Sequence, residues 1–290
     1  MSQRSRHSTA PAEPAVAQLS SRALRWEIGQ RCLALAGESR VKATCDELPA
    51  VLFDASGDGA HGNFLKASYQ RICVSADWKR RLNKRYSAFR RLPRSSERTY
   101  RELDCANSSD ALLMNIFCYP GITSRKPLCA LLGTDRGLRP RFGVRPRTPL
   151  VDGHADRSEI DMALGDLFVE AKLTESGFQG ARPDLVYRYK QLDDTFNVDD
   201  LPRSGVAFAG YQVVRGVLAA QHSGTSFMLL CDHRRPELIE VFYRVVRAVR
   251  DCELRSRLAV LTWQELAVTL PKTMQAFLSN KYGIDAGRLR

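Results

Sequence analysis

At 290 residues, with 44% hydrophobic and 26% charged residues, the chain has the composition of a globular protein with room for one large domain or two small ones. That excludes a mostly disordered chain and a fibrous repeat. Lys and Arg number 44 against 32 Asp and Glu, a net charge of +12, which favours a polyanionic partner: nucleic acid first, an anionic membrane surface second.

In chain order, residues 1–20 read as a disordered leader, rich in Ser, Arg, Ala and Pro and without the apolar segment of a secretory signal. No later run reaches the length of a membrane span, so a cytoplasmic protein with no membrane partner is expected. Residues 21–94 form a basic, mostly helical N-terminal extension. Its apolar spacing predicts a helix over 22–36, and SGDGAHGN at 56–63 predicts a loop. The densest positive charge lies at 79–101, where Arg80, Arg81, Lys84, Arg85, Arg90 and Arg91 stand among Trp78, Tyr86 and Phe89. A helix is expected there, ending near Leu92 before Pro93. Such a run is either a solvated face or a track for a phosphate backbone, where cations displace condensed counterions.

From 95 onward the elements change type. A helix is predicted at 110–118, capped by Ser108 or Ser109, then a turn at 120–121. A second basic segment, RGLRPRFGVRPR at 136–147, brings Arg139 and Arg141; its prolines and glycines exclude a regular helix and predict a loop. Residues 157–174, RSEIDMALGDLFVEAKLT, place two β-type runs around Gly165-Asp166, a two-residue hairpin turn. Helices follow at 210–221, 236–249 and from 264, and strands at 226–231 and 257–262. Strands alternating with helices make the fold class α/β, a central sheet flanked by helices. The eight cysteines contain no C-x-x-C pair and sit largely in apolar runs, as small buried hydrophobes of a reducing compartment.

The hairpin concentrates the chemistry. For an unbulged two-residue turn, paired residues sum to 331, so Asp161 faces Glu170 and Glu159 faces Lys172. Glu159, Asp161, Glu170 and Lys172 then share a face with Ala163 and Phe168. Ile160, Met162, Leu164, Leu167, Val169, Ala171 and Leu173 make the other face, which is core. Opposed carboxylates with Cβ atoms about 5 Å apart repel unless a cation lies between them. A hard divalent ion with oxygen ligands suits that place. The plain alternative is a cross-strand Glu159–Lys172 ion pair on an open sheet; Ala163 and Phe168 on the same face argue instead for a partly covered cleft.

Asp161 followed by Glu170-Ala171-Lys172 resembles the D…(D/E)-x-K signature of the PD-(D/E)XK nuclease superfamily, the restriction-endonuclease-like fold. The flanking order agrees: a helix at 110–118, the hairpin, a helix at 210–221 and a strand at 226–231. The stretches SSDALLMNIFCYPG and EAKLTE…F resemble a bacterial group of restriction endonucleases in that superfamily. The resemblance covers about residues 95–265 and departs at the proline of the signature, where Ile160 stands. It implies a restriction-endonuclease-like core at 95–290 with a mixed central β-sheet flanked by helices. It further implies that Asp161 and Glu170 hold Mg²⁺, with Mn²⁺ as a substitute, and that Lys172 is the catalytic lysine. Glu159 resembles the extra acid of E-x-D variants, Asp110 is a candidate acid reaching the metal, and Gln212, one turn from Arg215, is a candidate polar residue near the site.

The expected activity is metal-dependent phosphodiester hydrolysis, in DNA before RNA, of restriction or repair type, by a monomer or a homodimer. Arg80, Arg81, Lys84, Arg85, Arg90, Arg91, Arg139, Arg141 and Lys190 are the expected nucleic-acid contacts, Lys190 as part of the aromatic-basic Tyr187–Lys190 cluster. The alternative is a catalytically silent nucleic-acid-binding protein that keeps the fold. His154, His222 and His233 read as loop residues, and no Ser-His-Asp arrangement or phosphate-binding glycine loop is present.

Overall fold

The computed structural model describes residues 18–35, 40–45, 48–53, 59–84 and 101–287. Expectations placed on Arg85, Arg90 and Arg91, on most of the leader and on the end of the basic helix lie outside these residues.

The central sheet has five strands in the order β3-β4-β5-β8-β9: β3 (Arg141–Val144), β4 (Ile160–Leu164), β5 (Leu167–Ala171), β8 (Ser226–Cys231) and β9 (Leu258–Thr262). β3 and β4, and β4 and β5, pair antiparallel, whereas β5 and β8, and β8 and β9, pair parallel, so the sheet is mixed. The parallel joins need crossovers, which the helices supply: α8 (Tyr211–Ser223) between β5 and β8, and α9 (Pro236–Arg247) with α10 (Cys252–Ser256) between β8 and β9. This is the expected α/β class.

The sheet is buried on both faces. Met162, Leu164, Leu167, Val169 and Ala171 pack with α4 (Ser109–Phe117), α11 (Trp263–Val268), α12 (Lys272–Tyr282) and α1 (Ser21–Leu35) in one core. Ala163 and Phe168 pack with α8 and α9 in the other. Each large apolar side chain so buried contributes about 1.5–3 kcal/mol. α8 approaches closely because Gly216 carries no side chain: a Cβ there would lie 2.2 Å from the Phe227 ring. The basic extension shares this core, since Leu24, Ile28 and Cys32 of α1 sit with Met274, Leu278 and Tyr282 of α12.

Three elements depart from the expectations. The extension contains, besides α1, α2 (Lys66–Val74) and α3 (Ala76–Arg81), a hairpin of β1 (Arg40–Cys45) and β2 (Leu48–Phe53). α3 stops at Arg81 and residues 82–84 leave the helix, where a continuous one was expected. The second basic segment is in part the edge strand β3: Gly143 takes a positive φ, +63°, and prolines flank the strand on both sides, so the run resembles a loop in composition.

The hairpin register is as predicted where the ladder exists. Met162 pairs with Val169, Ala163 with Phe168 and Leu164 with Leu167. Gly165 alone takes positive φ at the turn, the type II′ pattern. Beyond Met162 the ladder to β5 stops, and Ile160, expected on the Met162 face, joins the second core.

Candidate active site

The site lies where β4 and β5 part. In place of a ladder bond, the Asp161 carboxylate itself accepts the backbone N–H of Ala171, at 2.8 Å. β5 meanwhile stays fixed to β8, and Lys172 N–H donates to Leu230 O at 2.8 Å. The indole N–H of Trp263 donates to Lys172 O, also at 2.8 Å. Lys172 is therefore held at both backbone polar groups, and its side chain departs from a rigid strand end.

Asp161 and Glu170 lie close enough for their charges to interact, although the ladder does not pair them. Burial, then the charges of Glu170 and Asp110, hold the Asp161 carboxyl well above the ordinary range, against the opposing pull of Lys172 and Lys84. The Lys172 ammonium bonds Glu170 Oε1 at 2.7 Å in a buried pair. Burial works to lower the lysine's pKa; Glu170, Glu175 and Asp161 outweigh it and hold the amine charged. Glu175 braces the site from outside: its carboxylate accepts from Leu173 N–H and from the Ser109 hydroxyl, each at 2.6 Å, joining the strand end to the start of α4.

Glu159 does not face Lys172. It precedes β4 and accepts from Arg81 at 2.7 Å and Arg145 at 2.8 Å. Arg81 uses its other nitrogen on Asp110, at 3.0 and 3.2 Å, and Lys84 also bonds the Asp110 carboxylate. Asp110 sits in the first turn of α4, whose cap is Ser108 accepting from Ala111 N–H. It is 3% exposed, and Lys84 and Arg81 overcome its burial to hold its carboxyl below the ordinary range. The backbone of β3 makes way for this arrangement. A Cβ at Gly143 would lie 2.2 Å from the Arg81 guanidinium, so glycine is required by the contact and by its positive φ alike.

Beside these carboxylates the two basic segments form one groove of about 810 Å³. Arg80, Arg81, Lys84, Arg139, Arg141 and Arg145 line it, against Asp77 and Glu159, and both of those acids are already ion-paired. Trp78 joins the walls: its indole N–H donates to Pro140 O at 3.0 Å, and the Arg139 guanidinium lies 5.3 Å from its ring centre.

The remaining candidates lie elsewhere. Gln212, in the first turn of α8, accepts from Gln179 N–H at 3.4 Å, one residue beyond the Phe178 ring over which Lys172 lies. Arg215 bonds the Ser158 hydroxyl. Lys190 is exposed and is not among the groove's lining residues, and Tyr189 is buried, donating to Asp156 at 2.6 Å. His154 is an exposed loop residue, and Cys32, Cys73, Cys118, Cys129, Cys231 and Cys252 are free thiols.

Sequence reasoning missed the Arg81–Asp110–Lys84 cluster, because every cation of 79–101 looks alike in a run. It missed Trp263, whose only signal was an indole needing a buried acceptor.

Oxygen-only donors suit Mg²⁺ or Mn²⁺. Asp161 Oδ1 and Glu170 Oε2 accept no hydrogen bond from any described residue, and the mutual repulsion that raises Asp161 is what a cation would relieve. Among the described residues, no three His, Cys, Asp or Glu side chains stand in metal-holding geometry, since the chain's own cations occupy Asp110 and Glu170.

Among known proteins, a family model described as "Restriction Endonuclease associating with ARP" matches residues 38–283. No curated protein and no solved structure matches the chain. No helix among the described residues is long and apolar enough to cross a membrane.

Proposed function

Because the chain belongs to the family of restriction endonucleases associating with ARP, we propose that it hydrolyses phosphodiester bonds in DNA with a divalent cation, at the open end of the β4–β5 hairpin. The observation that supports this reading is the Asp161–Glu170–Lys172 group, where Asp161 feels the charges of Asp110 and of Lys84, and Lys84 lines the cationic groove. Asp161 and Glu170 would hold Mg²⁺ or Mn²⁺ through their open oxygens. When bound, the ion supplies Lewis-acid polarisation of the phosphodiester and a lowered pKa for water.

The chain's residues do the rest. The groove arginines and Lys84 bind the phosphate backbone, which gives affinity without sequence choice. Lys172, held charged, cannot serve as a base in that state; it orients Glu170 and stabilises negative charge gathering on the phosphate. Trp263 and Leu230 fix its backbone, so the ammonium needs little reorganisation during reaction.

A specific observation favours a second reading. Asp110 is neutralised by Arg81 and Lys84, and Glu170 by Lys172, as in a nucleic-acid-binding protein that keeps the fold without cleaving. Plasmid DNA, linear duplex and RNA incubated with Mg²⁺ or Mn²⁺ separate the two. Cleavage by the wild type, lost in Asp161→Ala, supports the nuclease. Tight binding with no cleavage of any substrate in either metal supports the silent protein.

A further inference from the structure

A second cavity of about 540 Å³ adjoins the groove. Trp78, Arg139 and Pro140 line both spaces. The second differs from the first in character. Tyr119 is its accessible aromatic lining residue, with the buried Phe117 and Trp78 behind it, and its charged lining residues are Arg71 and Arg139, with no carboxylate among the described ones. Arg139 is exposed, tied to the Ser75 hydroxyl at 2.9 Å and lying over Trp78, so a cation stands at the crest between groove and cavity. Tyr119 is half-buried, and Val74, at the rim, is 82% exposed.

A cation-edged cavity with an accessible tyrosine, next to a phosphate track, fits one ligand class: a nucleotide, with its base against the Tyr119 ring and its phosphate on the arginines. Every base has a π-face, so such a site accepts any base, and Arg adds a cation–π contribution. An apolar ligand alone would leave Arg71 and Arg139 unanswered, and a bare phosphate would leave the Tyr119 ring unused. We propose that the cavity receives the base of one unstacked nucleotide of the strand whose backbone lies in the groove. This rests on the groove's being a nucleic-acid track, as in the proposed function, but does not need cleavage. It makes the protein a reader of single-stranded or locally opened DNA, because a base paired in a duplex is not free to enter.

The test measures binding in EDTA, so catalysis plays no part. A single-stranded oligonucleotide is compared with versions carrying one abasic residue at each position in turn. In the wild type, one abasic position should weaken binding roughly tenfold, the size of one base–aromatic contact. Val74→Trp, a change at an exposed rim position that blocks the mouth, should bind intact and abasic strands alike, as should Arg71→Ala in lesser degree. Arg141→Ala, in the groove alone, should weaken all strands equally.

Equal affinity at every abasic position, or retained discrimination in Val74→Trp, overturns the proposal. Binding of free nucleoside monophosphate with no abasic effect assigns the cavity to a free nucleotide and also overturns it. Base discrimination by a protein that never cleaves upholds the cavity while removing the nuclease reading; cleavage without discrimination does the reverse.

Discussion

The two ends of the β4–β5 hairpin are built from the same strands and obey different rules. At the turn end, three residue pairs form a regular ladder, every side chain is apolar, and both faces are covered. At the open end the ladder stops, a side chain replaces a backbone acceptor, and carboxylates gather with like charges close together. The turn end can be read as folding alone. The open end spends stability on charge proximity, and only its surrounding cations and the clamp on Lys172 make it tolerable. The difference teaches that a register can be correct and still end where function begins.

Changes at the two ends should therefore separate activity from stability. The largest effect is expected for Glu170→Gln, nearly isosteric but unable to offer a charged ligand. Cleavage should fall by about a thousandfold or more while DNA affinity stays within a few-fold, measured by single-turnover kinetics and fluorescence anisotropy. Comparable cleavage by this variant would erase the distinction between the ends.

Arg81→Ala should be next. It leaves Asp110 buried with one cation fewer and Glu159 with Arg145 as its remaining partner, and breaking a buried pair costs about 3–5 kcal/mol. Urea unfolding reads this directly, and a loss below about 1 kcal/mol would show that the cluster is not structural. At the turn end, Met162→Ala should cost about 2–5 kcal/mol by leaving a cavity, with the cleavage rate per folded molecule unchanged.

A smaller effect is expected at Asp156, which accepts from Tyr189 and Ser158. Burial raises its pKa, but the bonds from Tyr189 and Ser158 outweigh it and lower the net value. A depressed carboxyl contributes stability that is present above its unfolded pKa, near 4, and is lost as pH falls through the lower folded value. Asp156→Asn should thus destabilise by about 1–2 kcal/mol at neutral pH, with the gap to wild type closing in acid. A gap that stays constant as the pH is lowered through the acid range in unfolding experiments would contradict this. The smallest effect should be that of Arg141→Ala, an exposed groove residue, which should weaken DNA binding about two- to threefold and lower the salt dependence slightly.

Much of this was legible in the sequence, for identifiable reasons. The hairpin turn and the register sum from Met162 to Val169 follow from strand periodicity, which is local. The α4 cap at Ser108 follows from short-range hydrogen bonding. The placement of Glu159 did not follow, because extrapolating the ladder assumed pairing that ends at Met162, and Arg81 from 78 residues away claims the carboxylate instead. The strand character of 141–144 was hidden by Gly143, which its positive φ and the nearby Arg81 guanidinium both call for. Both failures share a cause: a contact distant in sequence outranked a local pattern.

The most direct measurement is the single-turnover cleavage rate of plasmid DNA in Mg²⁺ for wild type and Lys172→Ala, with folding and DNA affinity checked on the same samples. A rate lost by about a thousandfold at unchanged binding is the expected result. Equal rates for the two proteins would place the chemistry elsewhere and contradict the assignment of the open hairpin end as the active site.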